Sequence, residues 1–220
     1  MIKDLNINKK YLYLITPTSI LVNNKKFKNF LIILDKILKT KKIKFLQLRL
    51  KKKNKNLVLY CLKKINFICK KYKVITFIND YVNNEILNFC DGVHLGQKDI
   101  TKKKINLIIN KKKLLGISCN NSKNFVNKSI IYNPNYISFG SFFKTKTKKT
   151  KYIASLKNIN WFKKKFDIPC AVIGGINLNN INKILETDFN LLAVCSGIWD
   201  YKDGPVEAVN LIYKLLNKKK

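Results

Sequence analysis

The sequence predicts an α/β protein of the (β/α)8 TIM-barrel class, a single domain over residues 1–220. Eight short apolar runs rich in β-forming residues recur along the chain, most of them apolar through much of their length instead of alternating. That is how strands buried on both faces of a parallel sheet read. Between them lie Lys- and Asn-rich stretches whose apolar residues recur at helical spacing. Eight βα units fill 220 residues as a compact barrel. A doubly wound open sheet is the structural alternative, but it does not usually need eight parallel strands.

The elements follow in order. Tyr11–Thr16 is the first strand, and Lys26–Lys39 the first helix, with Phe27, Phe30, Leu31, Leu34 and Leu38 on one face. Ile43–Leu48 leads to a helix over Lys55–Lys71, and Val74–Ile78 to one over Val82–Phe89. Gly92–Leu95 is the fourth strand. Leu114–Ser118, Tyr136–Phe139 and Ala171–Ile173 are followed by helices over Lys123–Ile131, Leu156–Phe166 and Leu178–Glu186. Leu191–Val194 is the eighth strand, and Pro205–Leu216 supplies a closing helix. No linker, second domain or internal repeat interrupts this order.

Composition narrows the function. The longest apolar stretch, Tyr11 to Val22, is broken by Thr16, Pro17, Thr18 and Ser19, so nothing approaches the run of about 20 apolar residues that spans a bilayer. The first residues lack a secretory signal, and six Cys without C-x-x-C spacing read as reduced thiols, so a cytoplasmic location is expected. Lys+Arg 45 against Asp+Glu 12 gives a net charge of +33, which at face value suggests a polyanion partner. All but one of those bases are lysine, however, spread from Lys3 to Lys220 among many Asn and Ile. An evolved nucleic-acid reader mixes in arginine for its planar fork. Composition bias is the better account, with neither a specific nucleic acid nor a membrane as partner; the chain's oligomeric state, homo-oligomer included, is left open. Against that background the one arginine, Arg49, points to two-pronged contact with an oxyanion.

In a barrel, chemistry gathers where strands run out into βα loops. Gln47, Arg49 and Lys51 follow the second strand, Asn79 and Asp80 the third, Asp99 the fourth. Ser118 ends the fifth; Thr145, Lys146, Thr147 and Lys148 follow the sixth; Gly174-Gly175 and Ser196-Gly197 follow the seventh and eighth. Taken singly, Asp80 and Asp99 read equally as caps or loop charges; taken together, beyond neighbouring strands, they suit a Mg²⁺ shell completed by water and substrate oxygens. Asp91 precedes its strand and reads as a turn residue at the opposite rim. Gly174-Gly175 lets backbone N–H groups approach a phosphate, or simply turns the chain. The Lys/Thr run supplies cations and hydroxyls, or is a solvated loop. One metal site, one arginine and a separate phosphate cup describe a barrel for two phosphorylated small molecules, one of them a diphosphate.

These residues resemble the thiamine phosphate synthase family. The carriers are Gln47-Leu48-Arg49-Leu50-Lys51, Ile78-Asn79-Asp80, the block Asp91-Gly92-Val93-His94-Leu95-Gly96-Gln97-Lys98-Asp99, Gly116-Ile117-Ser118, Thr145-Lys146-Thr147-Lys148, Ile173-Gly174-Gly175-Ile176 and Ser196-Gly197-Ile198. They stand in the family's order and spacing from about Tyr11 to the C-terminus. The resemblance implies an enzyme that joins hydroxymethylpyrimidine diphosphate to thiazole phosphate, releasing pyrophosphate by a dissociative route. It further implies Asp80 and Asp99 as Mg²⁺ ligands, Arg49, Lys51, Asn79 and Lys148 as diphosphate contacts, and Gln47 and Ser118 on the pyrimidine side. Thr145, Thr147, Gly175 and Ser196 would hold the thiazole phosphate, with Arg49, Lys51, Ser118 and Lys148 nearest the reacting centre.

The chain departs from the family at Pro17, Asn120, Ser141 and Lys144, where the family commonly has Asp, His, Pro and Pro. Two lost prolines make the sixth loop less rigid. The related thiazole tautomerases carry His at the position of Asn120 and lack the paired acids, so the synthase reading is preferred to a tautomerase and to a basic nucleic-acid-binding protein. His94 is expected to pack or hydrogen-bond near the barrel instead of doing acid–base work. Cys119, beside Ser118, is expected within reach of thiol reagents.

Overall fold

In the computed structural model, which describes residues 9–21, 23–51, 53–145 and 153–218, eight parallel strands close into a barrel in chain order. The strands are β1 (Tyr11–Ile15), β2 (Ile43–Leu48), β3 (Ile75–Asn79), β4 (Gly92–Leu95), β5 (Leu114–Asn120), β6 (Tyr136–Phe139), β7 (Cys170–Ile173) and β8 (Leu191–Val194). The ring shuts where Tyr11–Leu14 of β1 run beside Leu191–Val194 of β8. Among the described residues no helix is long and apolar enough to cross a membrane.

Around the strands lie α1 (Asn24–Lys39), α2 (Lys55–Lys71), α3 (Asn84–Leu87), α4 (Lys102–Asn110), α5 (Lys123–Ile130), α6 (Leu156–Lys165), α7 (Asn182–Leu185), α8 (Ser196–Trp199) and α9 (Pro205–Leu216). Their starts are local chemistry. Asn23, Asn54, Asn83, Thr101, Ser122 and Ser155 stand in extended backbone just before α1 to α6, each side chain accepting an N–H of the first turn. Such a cap contributes about 1 kcal/mol, so an Asn-rich composition here defines boundaries instead of weakening helices.

Differences from the sequence reading have physical causes. Helices α4 and α8 were not anticipated: α4 has only Ile105 and Ile108 buried among lysines and asparagines, and α8 is a single turn, too short for periodicity to show. Helices α3 and α7 are four residues each, shorter than the apolar spacing suggested. Strand β3 runs one residue later, because Asn79 still pairs in register with His94. Strand β5 extends to Asn120 through a register shift after Ser118.

Strand alternation sorts the side chains. One face, including Leu14, Leu46, Ile78, Val93, Ile117 and Ile137, packs under the helices. The other fills the barrel with Tyr13, Phe45, Phe77, Tyr136, Ala171 and Leu191. Glycine makes room for these rings: a Cβ on Gly116 would stand 2.2 Å from Cζ of Tyr136, and one on Gly92 would stand 2.5 Å from Cε1 of Phe77. The tyrosine can therefore lie across the barrel.

The turns from helix to strand show the other side of the lysine bias. Lys41, Lys73 and Lys112 hold φ of 58°, 56° and 50°, a left-handed conformation that suits glycine. A side chain there costs about 1 kcal/mol relative to glycine. Replacing all three by glycine is expected to raise the unfolding free energy by about 2–3 kcal/mol with catalysis unchanged; urea denaturation giving no gain would refute the strain argument.

Candidate active site

A cavity of about 450 Å³ opens at the carboxyl ends of the strands. Arg49 and Lys51, leaving β2, and Asn79 and Asp80, at the end of β3, line one side. His94 of β4 and Asp99, carried by a 3-10 turn over Gln97–Asp99, stand beside them. Gln47, Ser118 and Asn120 face the same space, and Thr145, Gly175 and Ser196 line its opposite side. Thus the sequence-derived residues Gln47, Arg49, Lys51, Asn79, Asp80, Asp99, Ser118, Thr145, Gly175 and Ser196 border one cavity. Thr147 and Lys148 lie outside the described residues.

The acids are built in by backbone geometry. Asp80 has φ 65°, a strained value for a side-chain-bearing residue and one that clusters at functional sites. Its N–H donates to the His94 carbonyl at 2.9 Å, and its Oδ1 accepts the Gly96 N–H at 2.8 Å. The Asn79 amide donates to its Oδ2. A Cβ on Gly96 would lie 3.0 Å from Asp99 Oδ2 and 3.5 Å from Asp80 Oδ1, so both carboxylates crowd the same glycine. Burial and, behind it, the neighbouring Asp99 charge push the Asp80 carboxyl above its ordinary range. Lys104 of α4 offers partial compensation: its Nζ donates to the Asp80 carbonyl at 3.2 Å and sits 3.9 Å from Asp99 Oδ1.

Two adjoining carboxylates, Asp80 partly buried and Asp99 still open to water, with only a distant lysine as partner, suit a hard divalent cation that keeps part of its water shell. Among the described residues there is no cluster of three or more His, Cys, Asp or Glu, so the acids to be accounted for at the cavity are the pair Asp80 and Asp99. Mg²⁺ keeps several waters and takes one or two protein carboxylates plus substrate phosphate oxygens, and Asp80 with Asp99 fit that demand.

Arg49 is anchored by its own N–H, which donates to Thr16 Oγ1 at 3.0 Å. Its charge is felt by the two groups flanking it. His94, buried on the cavity floor, is lowered to about 4 by burial and secondarily by Arg49, so its imidazole is neutral near pH 7. The Cys195 thiol is pushed up to about 11 by burial, with Arg49 opposing. His94 packs as expected, its ring stacked on Tyr136, yet it also faces the cavity. Cys119 corrects the sequence reading: alternation turns Ser118 and Asn120 inward and Cys119 outward, fully buried, its sulfur 3.7 Å from Ser129 Oγ. It is out of reach of reagents in solution. All six cysteines are free.

The Gly174-Gly175 pair has a steric reason before any ligand. Both residues are left-handed, with φ of 103° and 69°. A Cβ on Gly174 would meet Ser141 Oγ at 2.2 Å, and one on Gly175 the Lys144 carbonyl oxygen at 2.4 Å. The sixth loop is laced down on this turn by Phe142 N–H to Ile173 O, 3.2 Å, and Phe143 N–H to Gly174 O, 3.0 Å. Lys104 and Cys195 were missed as neighbours of the site, whereas Asn120, singled out in the sequence, stands on the cavity wall. Lys104 had no visible helix to place it, and nothing in the sequence tells one lysine from the others.

A family model described as thiamine monophosphate synthase matches residues 12–198, most of the chain. The chain belongs to this family. The thiamine-phosphate synthase of Pelagibacter ubique is 43% identical over 209 residues, covering 94% of this chain and 98% of that protein. The thiamine-phosphate synthase of a Prochlorococcus marinus strain is 34% identical over 209 residues, covering 95% of this chain and 57% of that longer protein. Among solved structures, a thiamine phosphate pyrophosphorylase from Pyrococcus furiosus superimposes with a TM-score of 0.77 at 23% identity, covering 96% of this chain and 98% of its own, a likeness of fold. As a member of the thiamine monophosphate synthase family, the chain is a transferase of thiamine biosynthesis acting on small molecules.

Proposed function

We propose that this one-domain chain, in a cytosolic setting suited to its free thiols, makes thiamine phosphate by Mg²⁺-dependent, dissociative displacement of diphosphate. The observation that carries the reading is the convergence of Arg49, Asp80 and Asp99 on one cavity. Mg²⁺, held by Asp80 and Asp99, would supply positive charge to the departing diphosphate. Arg49, Lys51, Asn79 and Lys148 bind that leaving group, the guanidinium with two parallel N–H donors. The methylene C–O bond breaks with its electron pair going to diphosphate. The aminopyrimidine ring, oriented by Gln47 and Ser118, spreads the resulting cation. Thr145, Thr147, Gly175 and Ser196 hold the thiazole phosphate so that its ring nitrogen donates its lone pair to the methylene, forming the C–N bond.

No proton moves in this sequence, so the site needs charge neutralisation and alignment instead of a base. A neutral His94 flanked by Arg49 agrees with that requirement. Asn120 on the cavity wall also favours a synthase over a tautomerase, because an amide neither gains nor loses a proton near pH 7 and so cannot serve as acid or base. The test is a two-substrate assay: thiamine phosphate and pyrophosphate are expected with Mg²⁺ and lost in excess chelator. Undiminished turnover without divalent cation overturns the metal reading.

A further inference from the structure

Beneath the cavity lies a hydrogen-bonded chain of four side chains, of which the steps above use only Gln47. Gln47 Nε2 donates to Tyr13 Oη at 3.2 Å. Tyr13 Oη and Tyr136 Oη are 3.0 Å apart, and Tyr136 Oη is 2.7 Å from His94 Nδ1. Both tyrosines are fully buried, with exposures of 1% and 0%, while Gln47 and His94 also line the cavity. A phenol has one proton to donate. If Tyr13 accepts from Gln47, its own proton goes to Tyr136, whose proton in turn goes to His94 Nδ1. The imidazole must then carry its hydrogen on Nε2, and the amide of Gln47 keeps Oε1 free. A doubly protonated imidazole would also donate through Nε2, so this donor does not depend on the ring's charge.

We propose that the Tyr13–Tyr136 pair fixes the direction of this chain, so that the cavity floor presents Gln47 Oε1 as an acceptor and His94 Nε2–H as a donor. That pair complements an aminopyrimidine edge, which offers an amine N–H beside an unprotonated ring nitrogen. It mismatches the oxo isostere, which offers a carbonyl beside a ring N–H. A buried mismatched pair discriminates strongly because both partners lose their hydrogen bonds. Tyr13 and Tyr136 are therefore positioning residues that set specificity without touching substrate. The specificity half rests on the proposed pyrimidine site; the direction of the chain does not.

The chain has one histidine, so ring-nitrogen NMR of the ¹⁵N-labelled, untagged protein reads His94 alone. The expected pattern is a protonated Nε2 and an unprotonated Nδ1. In Tyr136→Phe, which keeps the ring above Gly116, the two nitrogens are expected to move toward an averaged mixture of tautomers. An Nδ1-protonated ring in the wild type overturns the proposal, and no substrate enters this arm. In the second arm, the diphosphates of the aminopyrimidine and of its oxo isostere are compared for binding. The wild type is expected to prefer the amine by about 100-fold, and Tyr136→Phe to lose at least about tenfold of that preference. An unchanged ratio in a folded variant overturns the specificity role even when the two-substrate assay succeeds. Should Tyr136→Phe fail to fold, Tyr13→Phe breaks the same chain one bond earlier and is read the same way.

Discussion

Asp80→Asn is expected to lower kcat by about 1,000-fold while the barrel keeps its stability. Asparagine has the shape of aspartate and is among the few side-chain-bearing residues that accept a left-handed φ, so the 65° backbone at this position survives. Its side-chain oxygen can still accept the Gly96 N–H that now reaches Oδ1. What disappears is one negative charge from a pair that already repel each other beside Gly96, together with the Oδ2 acceptor that the Asn79 amide now uses. Relief of that repulsion offsets the lost Asn79 hydrogen bond, about 1 kcal/mol, so the variant stays close to the parent in stability. Turnover at saturating Mg²⁺, read with a thermal melt, checks both halves. A loss smaller than about tenfold would remove Asp80 from the metal-binding role.

Gly175→Ala should strike the opposite wall. Two effects add: a left-handed φ of 69°, and a Cβ 2.4 Å from the Lys144 carbonyl and 2.9 Å from Phe143. Backbone strain and overpacking together cost about 3 kcal/mol, and the sixth loop must lift from the turn beneath it. The expected kinetic signature is a KM for thiazole phosphate raised about 100-fold, with the KM for pyrimidine diphosphate changed much less. Gly204→Ala is the control. Gly204 has φ 90° but open space around its missing side chain, so that variant reports strain alone, about 1 kcal/mol, with KM values intact. If Gly175→Ala leaves the thiazole phosphate KM near the wild-type value, the phosphate does not sit on this turn.

The barrel was legible because buried parallel strands are written as uninterrupted apolar runs, and the turns between units as polar ones. Gln47 through Lys51 and Asn79-Asp80 could be placed because each follows such a run directly. Helix α4 escaped for the complementary reason: two buried isoleucines among lysines leave little periodic signal, and Lys104, which tethers the acids, went with it. Cys119 was misjudged by a neighbour's position, since adjacent residues on a strand face opposite ways. The polar chain through Tyr13, Tyr136 and His94 joins residues 123 and 42 positions apart, a proximity created by closure alone and absent from any local pattern. Likewise, the glycine pair showed that side chains were unwelcome there, but only the fold revealed the sixth loop as the crowding neighbour.

Because β1 and β8 zip together and Lys42 beyond α1 reaches Asn210 of α9 at 2.5 Å, the polypeptide forms a wheel whose spokes have no privileged first member. The candidate site occupies one rim and the lysine-bearing helix-to-strand turns the other. Order around the ring then carries the architecture: reopening the wheel at a lower-rim turn such as the one at Lys73, between α2 and β3, would preserve every strand pairing on which the upper rim depends.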